Sequence, residues 1–338
     1  MARAIPACED PLVLALAGCV ALTALTCVGA ALLRHHAPRA AVAVAALPAV
    51  GSLAIFWQTP GPMAVIVSMW AFLFFLRALD ARVSRREGSG LDHALYCLWL
   101  RTHPSEDRQT PSRRAWLVRG LRGALLCSGT VALFALGRQL RLWQLHPLAD
   151  DALSALELAT GFMGGVDIFT FLAWTAGIRT FLVDGLDPWF ALAPSLGAFW
   201  ATRWNRPTAG VLRRGIYVPC GGHHAPLRGV LLVFLACGLM HAAPILLGGT
   251  DRVLWGWLAA GTLAFFLLHA AGLVVEGALG RHGRHGVLGR VILLGVFAVS
   301  LPLYPAPLTI ALGLHGRPPE TATLLALLRA LGLSTGRL

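Results

Sequence analysis

The sequence predicts an all-α fold, a polytopic integral membrane bundle of about eight transmembrane helices with short interfacial helices. Hydrophobic residues make up 57% of the 338 positions and charged residues only 13%, whereas about a quarter of the residues in a soluble domain are charged. The apolar residues form runs of roughly 20, the length that crosses a bilayer as a helix. No internal repeat divides the chain, so we interpret residues 1–338 as a single domain.

The predicted spans follow one another with arginine-containing connections between them. The first run follows Glu9 and Asp10 instead of a basic stretch, which favours a retained span over a signal peptide. Residues 91–100 and 320–333 are too short to cross the bilayer, and we expect them to form interfacial helices. By length, the spans lie at 12–33, 40–57, 62–79, 120–137, 156–178, 229–248, 253–275 and 287–304.

The arginines predict how the chain is oriented in the membrane. All 28 basic residues are arginine, and if the spans alternate in direction, 21 of them fall on the side of loops 80–119 and 179–228. The positive-inside rule places that side in the cytoplasm and the N-terminus outside. Because the arginines lie in loops between spans, they indicate membrane orientation and contact with membrane lipid, not nucleic-acid binding. In a bacterium, this would be a multi-pass protein of the cytoplasmic membrane.

Neither the histidine pair nor the acidic pairs have the spacing of a metal site. His223 and His224 are adjacent in sequence and have no carboxylate nearby. The acidic pairs at 150–151 and 184–187 are too few for the repeated carboxylates that hold Mg²⁺. The seven cysteines contain no CxxC spacing, so we expect no metal and no cofactor.

The densest polar and aromatic stretch is SLGAFWATRWNRP, residues 195–207. Ser195 is predicted to cap a short helix, and Pro207 to disfavour helix at Arg206. An interfacial helix would account for tryptophan beside arginine at the level of the lipid headgroups. It does not account for Asn205, a neutral amide directly after the aromatic residues.

Within this short helix, side chains four positions apart are expected to lie on one face. Phe199 then pairs with Arg203, and Trp200 with Trp204. Tryptophan next to arginine also permits a cation–π contact.

Two histidines and one aspartate are predicted to lie inside the membrane. His241 is the thirteenth residue of the run that begins at Gly229. An ionisable side chain at that depth suggests a function, although a hydrogen bond to a neighbouring helix would also explain it. His269 is expected to pack or to contact a substrate. Asp167 could pair with an arginine, carry a proton or contact an acceptor.

Three sequence elements between residues 195 and 244 resemble the wax synthase-like branch of the membrane-bound O-acyltransferase family. We take residues 179–244 as the core that carries the motifs. The chain departs from the family pattern at Ala198 and Ala242, where acidic residues are common, and at Cys237, where serine is common. The elements are Phe199-Trp200-x-x-Arg203-Trp204-Asn205, Leu212-Arg213-Arg214-x-x-Tyr217-x-Pro219 and Gly238-Leu239-Met240-His241.

This resemblance implies transfer of a fatty acyl group from acyl-CoA, a cosubstrate, to the hydroxyl of a lipophilic alcohol. His241 would be the general base that accepts the proton of the alcohol. Asn205 would either fix the tautomer of His241 or donate to the oxyanion. The family pattern also implies substrate-binding residues, with arginines suited to the phosphates of CoA: Trp200, Arg203, Trp204, Arg213, Arg214 and Tyr217.

The sequence leaves the acceptor and the oligomeric state open. A long-chain alcohol fits, and so does a hydroxyl on a polyketide, terpenoid or sterol. The alternative function is a non-enzymatic membrane transporter, in which His241, Asp167 and His269 form a path for protons or substrate. Transporters of that kind usually contain paired repeats or broken helices in corresponding halves, and neither is evident here.

Overall fold

The computed structural model describes residues 38–57, 59–83, 112–142, 147–176, 192–280, 286–312 and 323–330, with scattered positions between 15 and 26. The described regular elements are all helical, which confirms the predicted all-α class. The helices are α1 (Pro38–Ile55), α2 (Pro62–Val83), α3 (Arg113–Leu142), α4 (Pro147–Thr175), α5 (Leu196–Ala198), α6 (Arg206–Leu212), α7 (Pro226–Ile245), α8 (Arg252–Ala278), α9 (Gly286–Ser300), α10 (Pro305–Ala311) and α11 (Thr323–Ala330).

Six stretches of the described chain are long and apolar enough to cross a membrane, and each overlaps one of the predicted spans. The predicted span at 40–57 is shorter than expected, because the apolar part of its helix covers only Ala43–Ile55. The run at 12–33 is described only in part, and residues 91–100 lie outside the described residues. The six stretches are Pro62–Asp80, Arg113–Gly137, Ala149–Leu172, Pro226–Ile245, Arg252–Ala278 and Gly286–Ala311.

Helices that are neighbours in sequence pack as pairs. The most extensive contacts join α3 to α4, α7 to α8, and α1 to α2. Helix α8 also packs against α9 and against the short α5, so it lies between the motif-bearing segment and the C-terminal helices. This central position explains why its side chains at Leu258, Phe266 and His269 are fully buried.

The last predicted span is broken where its prolines lie. Helix α9 ends at Ser300, a single 3₁₀ turn covers Leu301–Leu303, and α10 begins at Pro305. Proline has no N–H to continue the helical hydrogen bonds. Tyr304, between the two helical pieces, has the non-helical dihedrals φ −135° and ψ −55°.

Asp167 forms an ion pair inside the α3–α4 pair. Arg122 donates to its two carboxylate oxygens at 2.6 and 2.9 Å, and Arg119 Nε lies 3.6 Å from Oδ1. A carboxylate within a span needs such a partner, because water is not available to solvate it. Of the three roles considered for Asp167, the structure shows the pairing with arginine.

Candidate active site

The motif stretch forms a π-helical turn, not the α-helix that the four-residue spacing predicts. After α5, residues Phe199–Arg203 are π-helical, and the Trp204 N–H donates to the carbonyl of Phe199 at 2.8 Å. This wider turn aligns residues five positions apart, so Phe199 stacks on Trp204 with ring centroids 5.7 Å apart. The predicted stacking of Trp200 on Trp204 is therefore wrong. Single π turns within α-helices occur frequently at functional sites.

Two acceptors cap the beginning of this short helix. The predicted N-cap is confirmed: Ser195 Oγ accepts from the Ala198 N–H at 3.2 Å. The second acceptor is the buried carboxylate of Glu276 in α8, which accepts from the N–H groups of Leu196 at 2.8 Å and Gly197 at 3.1 Å. Sequence reasoning missed Glu276, although an acidic residue at the end of an apolar run was a visible signal.

Asn205 occupies a backbone conformation that few residues tolerate. Its φ of 42° and ψ of 54° are left-handed, and among the described residues it is the only non-glycine with positive φ. Its side-chain Oδ1 accepts from the Thr208 N–H at 3.4 Å and so caps α6. Helix α6 begins at Arg206 and holds Pro207 in its first turn, where proline is tolerated. From the sequence, Pro207 is expected to disfavour helix at Arg206, and the structure shows that the helix nevertheless begins there.

The second motif element is also π-helical, over Arg213–Tyr217. Arg214 makes a bidentate ion pair with Asp80 of α2, with Nη2 2.8 Å from Oδ2. Asp80 is fully buried, so this pair anchors the element to the bundle. The Tyr217 ring lies against Gly229 near the start of α7. The contact is so close that a Cβ on that glycine would come within 2.5 Å of the ring. Arg213 is exposed.

His241 lies on α7 in an aromatic enclosure. Its ring stacks on Phe266 at 4.9 Å and meets Tyr304 edge to face at 5.2 Å. Its Nδ1 is 2.8 Å from the carbonyl oxygen of Cys237, one turn earlier on the same helix. A carbonyl only accepts, so Nδ1 carries the hydrogen, and the lone pair of the neutral ring lies on Nε2. The residue is partly exposed.

His269 differs from His241 in that both of its ring nitrogens are occupied. The Trp200 indole N–H donates to Nδ1 at 2.9 Å, and Nε2 is 2.9 Å from Ser300 Oγ. An indole N–H can only donate, so Nδ1 is the acceptor and the Nε2–H of the neutral ring donates to the serine. His269 is 0% exposed. It therefore has no free lone pair with which to take a proton from a substrate.

The motif turn and His241 are brought together through Phe266 of α8. Phe266 contacts the rings of Trp200, at 6.0 Å, and of His241, at 4.9 Å. Trp200 also meets Phe234 of α7 edge to face at 5.4 Å. Asn205 makes no hydrogen bond to His241 in the described part of the chain; the Cys237 carbonyl, not Asn205, fixes the tautomer of His241.

The remaining predicted substrate residues lie around this turn. Trp204 stacks on Phe162 of α4 with centroids 6.4 Å apart, in addition to Phe199. Arg203 is partly exposed and Arg206 is exposed. Across the described residues, no group of three or more histidine, cysteine, aspartate or glutamate side chains is arranged to hold a metal ion.

Comparison with known proteins gives a match to part of the chain, and the name of the matched protein agrees with the family that the motifs resemble. A protein from Arabidopsis thaliana named probable long-chain-alcohol O-fatty-acyltransferase 2 is 33% identical over 103 residues. The match covers 28% of this chain and 28% of that relative. No protein-family model and no solved structure matches the chain. The match supports the resemblance to the wax synthase-like branch, and it spans less than a third of either protein.

Proposed function

We propose that this protein is a membrane O-acyltransferase that transfers a fatty acyl group from acyl-CoA to the hydroxyl of a lipophilic alcohol. The observation that carries the proposal is the state of His241. Its Nδ1 is bonded to the Cys237 carbonyl, and Nε2, which carries the lone pair, has no hydrogen-bond partner among the described residues. Phe266 contacts both this ring and the ring of Trp200. The name of the Arabidopsis relative, an alcohol O-fatty-acyltransferase, supports the same chemistry.

The reaction needs a base because an alcohol is a weak nucleophile. His241 Nε2 accepts the hydroxyl proton while the alcohol oxygen attacks the thioester carbonyl, a contribution typically of about 10²–10⁴-fold. The tetrahedral intermediate then collapses, the carbon–sulfur bond breaks, and the imidazolium returns its proton to the thiolate of CoA. The products are an ester and free CoA, and His241 is again neutral. The aromatic rings of Phe266 and Tyr304 around the imidazole limit access of water, which would hydrolyse the donor.

Asn205 assists through its amide hydrogens. The cap of α6 uses only Oδ1, and the amide group carries two further donors. A donor of this kind stabilises the negative charge that develops on the thioester oxygen. We therefore propose the oxyanion as the role of Asn205, because the Cys237 carbonyl already orients His241.

The donor approaches from the side on which the motif arginines lie, which the arginine distribution assigns to the cytoplasm. Arg206, Arg213 and Arg228 are exposed there, and arginine binds phosphate groups through paired hydrogen bonds. Arg214 is held by Asp80, so we assign it to the anchoring of the motif more than to direct contact with CoA. Trp200, Trp204 and Tyr217 would line the path of the acyl chain and the acceptor.

The transporter alternative needs His241, Asp167 and His269 to form a continuous path. In the structure, Asp167 is paired with Arg122 of α3, and both nitrogens of His269 are bonded to Trp200 and Ser300. These partners connect the three residues to different neighbours and not to one another. The arrangement therefore favours the acyltransferase.

The test uses membranes containing the full chain, radiolabelled fatty acyl-CoA and a panel of alcohols from decanol to octadecanol, with a sterol. We expect labelled ester from wild type and a loss of about 10²–10⁴-fold in His241→Ala. The matched control is His224→Ala, since His224 is an exposed histidine outside the enclosure. No ester from wild type with any alcohol would reject the function, and full activity of His241→Ala would reject the assigned base.

A further inference from the structure

We propose that His269 is a positioning residue for this reaction: it holds the Trp200 indole in place beside the His241 enclosure and is itself anchored by Ser300. The proposal rests on the acyltransferase function proposed above. It gives a role to a buried histidine that the chemical steps do not use.

The geometry is a chain of hydrogen bonds that joins three elements. Trp200 in the π turn donates to His269 Nδ1 at 2.9 Å, and His269 Nε2 lies 2.9 Å from Ser300 Oγ at the end of α9. The indole meets the imidazole edge to face, with centroids 5.3 Å apart. His269 and Ser300 are both 0% exposed, so water does not compete for these bonds. A buried polar chain that is satisfied at each member fixes one arrangement of its side chains.

The direction of these bonds excludes His269 as a second base and Ser300 as a nucleophile. Because the indole can only donate, the neutral imidazole carries its hydrogen on Nε2 and points it at the serine oxygen. A histidine that activated Ser300 would need the opposite tautomer, with the lone pair on Nε2. The contribution of His269 is therefore made through Trp200 and not through proton transfer.

Helix α8 connects these hydrogen bonds to His241. Phe266 lies three residues before His269, so the two side chains occupy neighbouring places on one face of the helix. Phe266 contacts both Trp200 and His241. Since Trp200 is bonded to His269 and His241 is stacked on Phe266, one helix sets the spacing between the motif tryptophan and the base.

At its other end, this series of hydrogen bonds reaches Ser300, which lies close in sequence to Tyr304, the second ring of the His241 enclosure. Ser300 immediately precedes the 3₁₀ turn Leu301–Leu303, which leads to Tyr304. The Tyr304 ring meets His241 at 5.2 Å. Phe265 of α8 packs on both His269, at 4.2 Å, and Tyr304, at 5.0 Å. Ser300 therefore ties His269 to the segment that carries Tyr304, and loss of His269 would release Trp200 from this segment.

The experiment compares kcat and KM for acyl-CoA in purified full-length protein in lipid nanodiscs. The variants are His269→Ala, His269→Gln, Trp200→Phe and the Trp200→Phe/His269→Ala double variant. Leu268→Ala is the matched control, because Leu268 is the neighbouring side chain on α8 and is 39% exposed. Glutamine is the conservative variant, since its oxygen can accept from the indole and its nitrogen can donate to the serine.

We expect His269→Ala to lower kcat about 10- to 100-fold, because misplaced reacting groups lose rate steeply. The KM for acyl-CoA should change little, since the exposed arginines that bind the donor are not touched. His269→Gln should recover most of the rate. The rate of the double variant should lie within about twofold of the rate of Trp200→Phe, because both changes remove the same hydrogen bond.

Three results would overturn the proposal while the acyltransferase function stands. An active wild type with an unchanged His269→Ala would show that the contact has no role. Independent, multiplicative losses in the double variant would show that His269 does not act through Trp200. A His269→Gln variant as inactive as His241→Ala would make His269 a proton carrier. If wild type forms no ester, the proposed function itself fails, and this role of His269 fails with it.

Discussion

The α3–α4 pair and the α7–α8 pair both place ionisable side chains within candidate spans, but they satisfy those side chains differently. In α3–α4, the Asp167 carboxylate is bonded to Arg122 through both oxygens. In α7–α8, both ring nitrogens of His269 are bonded, whereas His241 bonds to other described residues only through Nδ1. Polar groups within a membrane are expensive without a partner. Among the described residues, His241 Nε2 carries a lone pair with no hydrogen-bond partner, and we place the chemistry there.

Buried polar side chains thus have two different roles in the two helix pairs. The Asp167 carboxylate is buried, and its ion pair with Arg122 joins two helices. The His241 ring contacts the Cys237 carbonyl and the rings of Phe266 and Tyr304, and in the proposed reaction Nε2 accepts the proton of the alcohol. Intramembrane charge alone would have ranked Asp167 as high as His241, and only their hydrogen-bond partners distinguish them.

The largest expected effect on stability comes from breaking the pair between Asp167 and Arg122. Asp167→Ala removes the buried carboxylate that Arg122 and Arg119 contact, and because the Arg122 side chain is 36% exposed we expect a loss of about 2–4 kcal/mol, between the costs of exposed and buried pairs. We expect a lower apparent melting temperature in detergent, while ester formation per folded molecule is retained. The Arg122→Ala/Asp167→Ala double variant should lose less than the sum of the single losses. A stable Asp167→Ala that forms no ester would break the comparison.

The second expected effect concerns Asn205, whose structural and chemical roles can be separated by choice of variant. Asn205→Asp keeps the oxygen that caps α6 and removes the amide hydrogens, whereas Asn205→Gly keeps the left-handed backbone and removes both. If the amide stabilises the oxyanion, both variants should fold and lose about 10²–10³-fold in kcat. Circular dichroism and ester formation measure the two properties. Full activity in Asn205→Asp would assign the residue to the cap alone.

The spans were predictable because a bilayer imposes length and apolarity on each segment locally. His241 and the motif residues could be selected as candidates because the motif spacing is short-range, and their roles stay predictions. The π turn at Phe199–Arg203 was not, because a four-residue pattern does not reveal that the backbone widens to five. Glu276 and Ser300 were also missed. The Leu196–Glu276 bond spans 80 residues and the His269–Ser300 bond 31, and no local pattern encodes such contacts.

The smallest expected effect tests how closely α7 and α8 must approach for His241 to work. Gly238 lies three residues before His241, and a Cβ there would come within 2.7 Å of Leu263 Cδ1 and 3.3 Å of Phe266 Cβ. Gly238→Ala would therefore push Phe266 away from the imidazole, with an overpacking cost of about 1–3 kcal/mol.

The matched control for this variant is Gly256→Ala on α8, where a Cβ meets no atom within 4 Å. Alanine at that position should stabilise the helix slightly, because glycine is about 1 kcal/mol less favourable within a helix. We expect slower ester formation and a lower melting temperature in Gly238→Ala only. If Gly238→Ala lowers the melting temperature but leaves turnover unchanged, the Phe266–His241 contact stabilises the helix pair without setting the position of the base. The contacts of the α7–α8 pair would then serve stability, as those of α3–α4 do, and would not set the geometry of the reaction.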